Sequence, residues 1–182
     1  MTLWELKNDG INHFAVMVFT NDVEVHSGMF ELDGNPKHWS VRPGVEPFAD
    51  KKVKAKPLAD ISYLDPGSVV LNAKAYVALK DFLLPFGQLL ELDCKGEVYY
   101  FYNVTNLIAC IDPDASEKKW NSIIREVFRP GTVPSTPQIF KDPHTAGRCI
   151  YINAAGKDVL ETLLAAAHLT GARFVEAGKG VT

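Results

Sequence analysis

The sequence has little cysteine, and it has none of the spacings by which cysteine and histidine usually bind metals. Its three cysteines include no CxxC pair, and its five histidines include no HxH or HxxxH pair. Zinc sites and redox-active thiol pairs normally show such spacings. We therefore expect no metal and no cofactor. Three reduced thiols favour a cytoplasmic protein.

Long apolar runs, phosphate-binding loops and an excess of positive charge are also missing. No apolar run approaches the roughly 20 residues that cross a bilayer, and the N-terminus lacks the basic and then apolar order of a signal peptide. Neither GxGxxG nor GxxxxGK[ST] occurs. The net charge of −3 is unlike that of a general nucleic-acid binder, which is basic. We expect neither a membrane nor a nucleic acid as partner.

The chain does contain enough apolar material for a large core, since 47% of its 182 residues are hydrophobic. Its patterns predict two main helices, over 73–84 and 155–169, capped by Asn72 and Asn153. Hairpin links outnumber crossovers, so the predicted fold is α+β with a mostly antiparallel sheet. For the last helix we predict Gly171 as the residue just past its end, and a buried stripe of Val159, Leu163, Ala166 and Ala167.

The first third of the chain is predicted to be rich in strands. Candidate strands cover residues 4–6, 13–19 and 37–42, and an irregular connector rich in proline and lysine follows at 43–60. The connector's lysines are read as a solvated loop, and contact with phosphate or an acidic partner is the alternative. The predicted division is an N-terminal region 1–59 and an α+β core 60–182, with one continuous domain as the alternative.

The stretch from Phe86 to Asp114 is the most distinctive part of the sequence. It reads as a strand, a tight turn at Lys95-Gly96 and a second strand. It also contains five acidic residues and a single lysine, so its net charge of −4 is more negative than the −3 of the whole chain. An acidic surface of this kind suits a basic protein partner.

Alternation along the second strand separates its aromatic side chains into two sets. Tyr100 and Tyr102 share one face, and we expect them to be exposed beside acidic side chains. The alternative is that a helix or loop covers both faces. The candidate partner-binding residues are Glu91, Asp93, Glu97, Tyr100, Tyr102, Trp39 and Trp120.

Two other hypotheses stay open at this point. His144 with Asp112 or Asp114 could form the acid–base pair of a small hydrolase. The segment Asp112-Pro-Asp-Ala-Ser116 is, however, read as the start of a helix over 116–127, with carboxylates at its positive end. The central hairpin could also be the edge of a self-associating module, which would make the protein a homodimer.

Three segments carry a resemblance to a known family. They are the strand and helix start Asp65–Lys80, the stretch Glu91–Ser116 with its Tyr-Tyr-Phe-Tyr-Asn-Val-Thr run, and a third segment made of Ile139-Phe140, Ile150-Tyr-Ile-Asn153 and the last helix with its ending Leu169-Thr-Gly-Ala-Arg-Phe174. Over about residues 60–176 the chain resembles immunity proteins encoded beside bacterial polymorphic toxins and type VI secretion effectors. The resemblance implies a small, non-enzymatic cytoplasmic protein of bacterial competition that binds and neutralises a cognate toxin. It assigns no individual interface residue.

Overall fold

The computed structural model describes residues 2–8, 13–20, 31–48, 56–64 and 67–178. Over these ranges the chain forms two long α-helices, α1 (Ala73–Leu83) and α2 (Ala154–Ala166), and twelve strands. The strands are β1 (Leu3–Asn8), β2 (Met17–Phe19), β3 (Val45–Pro47), β4 (Ile61–Ser62), β5 (Val69–Leu71), β6 (Gly87–Cys94), β7 (Glu97–Val104), β8 (Glu117–Lys119), β9 (Ser122–Arg125), β10 (Ile139–Phe140), β11 (Tyr151–Asn153) and β12 (Ala172–Glu176). All their pairings are antiparallel, so the predicted α+β class is confirmed.

The central hairpin predicted from the sequence is the longest strand pair of the fold. β6 and β7 pair over eight residues each, in a sheet with the strand order β4-β5-β7-β6. Lys95 and Gly96 form the turn with φ values of 55° and 89°. Two consecutive positive φ values are the signature of the tight turn that matches strand twist, which explains the glycine.

A second sheet joins the two ends of the chain. Its order is β10-β11-β1-β12, so β1 is hydrogen-bonded between two strands from the last third of the sequence. The division of the chain at residue 59 stays a prediction. Within the described ranges, however, a strand from the N-terminal region completes a sheet of the α+β core.

Helix α1 confirms its prediction at both ends. The Asn72 side chain accepts a hydrogen bond from the backbone N–H of Ala75 at 2.9 Å, and the helix gives way to a short 3₁₀ turn, Leu84–Phe86, that contains Pro85. Its buried face includes Leu79 and Leu83, at the predicted spacing. The helix therefore covers one face of the β4-β5-β7-β6 sheet.

Helix α2 begins at the predicted cap, but its buried stripe is rotated from the prediction. Asn153 accepts from the N–H of Gly156 at 2.8 Å. Gly156 and Leu160 are the buried positions, whereas Val159 is 37% exposed and Ala166 is also exposed. The predicted stripe is therefore wrong at Val159 and Ala166, because a close backbone approach at Gly156 turns that side of the helix towards the sheet, whereas Leu163 is half-buried against the core as predicted.

The end of α2 also differs from the prediction. The helix stops at Ala166, and His168 takes the left-handed conformation, with a φ of 48°. Gly171 lies farther on, where an added Cβ would come within 2.1 Å of the Ile61 carbonyl oxygen. A glycine is needed at position 171 because the Ile61 carbonyl lies so close, and not because a helix ends there.

The predicted helix over 116–127 is wrong, since these residues form the hairpin β8–β9. The carboxylate of Asp112 accepts from the backbone N–H groups of Asp114 and Ala115, which closes a turn before a strand. Trp120 and Asn121 then reverse the chain with φ values of 52° and 64°. The apolar spacing in this segment matched a helical face, but only Ile123 enters the core.

The N-terminal region is less regular than predicted. Residues 37–42 are not a strand, and the run at 13–19 is a strand only over β2. The connector at 43–60 contains β3, which pairs with β2. Lysines 51, 52 and 54 of the connector lie outside the described residues.

Both faces of the β4-β5-β7-β6 sheet are covered. Helix α1 packs on the face that includes Tyr102, and the β2–β3 pair packs on the face that includes Phe101. The sequence left open the alternative that a helix or loop covers both faces, and this alternative is correct for most of the sheet. Within the described residues, the sheet reaches the surface near the Lys95-Gly96 turn and along the β6 edge at Glu91.

Candidate protein-binding surface

Tyr102, the most central of the predicted interface residues, is inside the protein. Its ring is 1% exposed and its hydroxyl donates to the Leu83 carbonyl at 3.1 Å. Burial raises the pKa of the phenol far above its ordinary value. The expectation that Tyr102 is exposed is wrong, because α1 lies over this part of the strand.

Tyr100 is half-buried and shares its ring face with the same helix. Its ring stacks on Tyr76 with the centroids 3.8 Å apart and the planes 11° from parallel. Burial raises the pKa of the Tyr100 hydroxyl, with smaller contributions from Tyr76 and Glu91. The Tyr100 ring is therefore less accessible to a partner than the sequence predicts.

The three predicted carboxylates do not form one patch. Glu91 pairs with Tyr100 across the hairpin, and Asp93 pairs with Val98 on the same face. Glu97 pairs with Cys94 on the opposite face, as its odd number relative to Tyr100 and Tyr102 requires. The expected grouping of all three beside the tyrosines is wrong.

One of these three carboxylates is already paired with a cation of the same chain. The Arg42 guanidinium forms an ion pair with Glu91. The Lys95 ammonium lies 3.9 Å from the carboxylate of Glu46, and Asp93 accepts from the N–H of Gly96 at 3.2 Å. We call Glu91, Asp93 and Glu97, which lie on both faces of this hairpin, the acidic surface; Arg42 neutralises part of it, at Glu91.

Trp39 packs against the outer edge of β6. Its indole N–H donates to the Glu91 carbonyl at 2.9 Å, and its ring centroid lies 6.2 Å from that of Phe101. The N–H of Asp93 also donates to Pro43 on this edge, at 2.8 Å. The edge that the sequence offered for self-association is thus partly occupied by the segment 37–44, beside a hollow of about 400 Å³.

Trp120 is the candidate that the structure places most favourably for a partner. It lies at the tip of the β8–β9 hairpin and is 89% exposed. Its left-handed backbone is uncommon for a bulky residue and carries roughly 1–2 kcal/mol of strain. The fold therefore holds a large aromatic side chain in solvent at an energetic disadvantage.

The base of this hairpin is firmly attached to the body of the protein. Ile123 is buried in the core, and its carbonyl accepts from the Arg148 guanidinium. The Tyr151 hydroxyl donates to the Glu126 carboxylate at 3.0 Å, and the N–H of Val127 donates to the Ser116 hydroxyl at 2.9 Å. The position of the tip is therefore fixed before any partner arrives.

The surroundings of Trp120 are basic. Lys118 and Lys119 precede it and are exposed. Within the described ranges, neither ammonium lies within ion-pair distance of a carboxylate. A hollow of about 330 Å³ beside the tip is lined by Lys118, Asn121 and His144, together with Pro113 and Ile123. We call Lys118, Lys119, Trp120, Asn121 and His144 the tip surface.

The acid–base pair considered from the sequence is not assembled. The Asp112 carboxylate accepts from two backbone N–H groups and lies 3.9 Å from Arg129, and these contacts hold its pKa below the usual range. Among the described residues, no hydrogen bond joins His144 to Asp112 or Asp114, although His144 does line the hollow. No group of three metal-binding side chains occurs in the described part of the chain.

Sequence reasoning missed two neighbouring charged residues that are buried in the second half of the chain. Lys141 and Asp142 are both fully buried. The Lys141 ammonium donates to the Leu32 carbonyl at 3.2 Å, and Asp142 accepts from the N–H groups of Cys110 and Ile111, both at 2.8 Å. Charged residues beside Pro143 resemble an ordinary loop, so no local signal separates them from exposed residues.

Comparison with known proteins adds no family to this description. No protein-family model matches the sequence, and no curated protein is significantly similar to it. Within the described residues, no helix is both long enough and apolar enough to cross a membrane. The resemblance to immunity proteins stays a prediction that rests on the three sequence segments.

Proposed function

We propose that the protein is an immunity protein that binds a cognate antibacterial toxin and neutralises it by stoichiometric occlusion. The observation that carries the proposal is Trp120, 89% exposed on a hairpin whose base is tied to the core. Tryptophan is among the residues that contribute most to protein interfaces, and a fixed position lowers the entropy lost on binding.

The remaining predicted contact residues belong to the β6–β7 hairpin and its edge, and in the proposal they form a second contact region. Glu91, Asp93 and Glu97 would attract a basic part of the toxin, while Tyr100 and Trp39 present partly exposed rings near them. Tyr102 has no direct contact with the partner because it is buried. Protection requires no reaction, since covering the toxin's active surface is sufficient.

Co-expression with the toxin encoded by the adjacent gene tests this function. We expect survival of a sensitive bacterium and a one-to-one complex in size-exclusion chromatography with light scattering. The Trp120→Asn variant should bind about thirtyfold more weakly, as expected for a residue that anchors an interface. Continued killing, together with the absence of a complex, would refute the proposal.

The matched control is Val77→Asn, which removes another exposed apolar side chain. Val77 is 69% exposed on α1, away from the hairpin. The control should retain protection and complex formation. An equal loss in both variants would show that Trp120 has no special part in binding.

A further inference from the structure

We infer that the site complementary to the tip surface is an apolar pocket rimmed by carboxylates, so that the partner is acidic where it meets this hairpin. The inference rests on the proposed function and specifies the chemistry of the surface that binds. It reverses the charge expected from the sequence, where the acidic stretch pointed to a basic partner.

The first support is the apolar character of the outward side of the hairpin. Ile124 is the extra residue of a β-bulge, because Lys118 pairs with Ile123 while Glu117 pairs with Arg125. A bulge can redirect a side chain, and Ile124 is 49% exposed although its neighbour Ile123 is buried. Trp120 and Ile124 therefore supply two apolar contacts on one short hairpin.

The second support is the distribution of charge around Trp120. Lys118 and Lys119 have no carboxylate of the described residues within ion-pair distance, whereas Glu91 is paired with Arg42. The two ammonium groups beside Trp120 thus have no direct ion pair, although Lys118 interacts with Asp112 at longer range, while Glu91 of the acidic surface is directly compensated. Unpaired exposed charges contribute most to the steering of a partner.

The third support is the hollow beside the tip. Its lining includes the Lys118 side chain and the Asn121 side chain, which carry hydrogen-bond donors, and the His144 imidazole. A carboxylate can accept from several such donors at once. An acidic side chain of the partner fits this hollow while the Trp120 ring enters the neighbouring apolar pocket.

A random peptide library displayed on phage tests the inference without the toxin. Peptides are selected on the wild-type protein alone, so that the selection itself does not favour any one surface. We expect the enriched sequences to combine aspartate or glutamate with large apolar residues. Their affinity should fall at least about tenfold in Trp120→Asn and in the double variant Lys118→Glu/Lys119→Glu.

Val77→Asn is the matched control, and it should bind the selected peptides as the wild type does, because Val77 is exposed on α1 and belongs to neither hairpin. Basic peptides, no enrichment, or binding that ignores the tip variants would overturn the inference. A dimer that Trp120→Asn abolishes would also overturn it, because a second copy would then be the occupant. Basic peptides with intact toxin protection reject only the inference, whereas acidic peptides without protection reject only the proposed function.

Discussion

Trp120 combines two properties that seldom occur together in a stable fold. Its side chain is almost entirely exposed, and its backbone adopts a left-handed conformation that favours glycine or asparagine. Neither property adds stability, because the ring buries little surface and the φ value is strained. Under the proposed function, selection for binding accounts for both, in keeping with the general conflict between stability and function.

This reasoning predicts that Trp120→Asn makes the protein more stable while it weakens binding. Asparagine tolerates the left-handed region, so the free energy of unfolding should rise by roughly 1 kcal/mol. Urea denaturation of the two proteins measures the difference. A variant that lost stability together with binding would show that the indole supports the fold.

Lys141 predicts a pH dependence of stability. Burial lowers its pKa from 10.5 to about 8 in the folded protein, and Asp33 only partly opposes this effect. Between about pH 8 and pH 10.5 the unfolded chain therefore binds more protons at this residue than the folded chain does. Stability contributed by this residue should increase as the pH rises through that interval.

The measurement is a series of denaturation curves over this pH interval for the wild type and Lys141→Met. In the variant, the increase in stability with pH that Lys141 contributes should be absent, because methionine has no proton to release. Lys80→Met, at a partly exposed lysine of α1, should leave the slope as it is in the wild type. Identical slopes for the wild type and Lys141→Met would contradict the prediction.

At the scale of single elements, local sequence was sufficient wherever local chemistry fixes the conformation. Asn72 and Asn153 are caps in the structure, as the sequence predicted, since a side-chain oxygen satisfies the first helical N–H groups regardless of the rest of the fold. The Lys95-Gly96 turn follows from the same kind of argument. Local sequence was not sufficient for the segment 116–127. Its apolar residues have a spacing that fits a helix, and the same residues also fit the strand pairing that the structure shows.

Asn153 should prove the more important of the two caps. Besides Gly156, its side chain bonds the N–H of Gln138 at 3.0 Å and the carbonyls of Pro134 and Thr136 at 2.9 and 2.7 Å. Asn153→Ala should therefore lower the free energy of unfolding by about 2–4 kcal/mol, through the lost cap and the buried groups left unpaired.

Asn72→Ala provides the comparison, since among the described residues the Asn72 side chain caps α1 and otherwise bonds only the Asp60 carboxylate, at 2.9 Å. Its loss should be about 1–2 kcal/mol, measured in the same denaturation assay. An equal loss in both variants would show that the links from Asn153 to the 134–138 loop contribute nothing.

For the whole molecule, the relevant fact is that opposite charges lie on different hairpins. The acidic surface belongs to β6–β7, and the basic tip surface belongs to β8–β9. The net charge of −3 therefore says little about which hairpin meets the partner. Steering depends on the local field at the point of contact, which the average charge of the chain conceals.

Association kinetics with the toxin distinguish the two surfaces. Lys118→Glu/Lys119→Glu should slow association by about tenfold at low salt, because it reverses the charge next to the anchor. Glu91→Lys/Glu97→Lys should slow association less, by about threefold, because Arg42 already compensates Glu91. Stopped-flow measurements at two salt concentrations provide the test, and the reverse order of effects would assign the contact to the acidic surface.

The sequence by itself determined the α+β class, the β6–β7 hairpin, helix α1 and both helix caps, because these depend on alternation, turn residues and capping groups that are close together along the chain. Only the tertiary structure decided which side chains are exposed. Tyr102 is buried because α1 crosses its strand, Lys141 is buried although it is charged, and Trp120 is exposed because its neighbours form a hairpin. Exposure depends on contacts between distant segments, and no local pattern encodes those contacts.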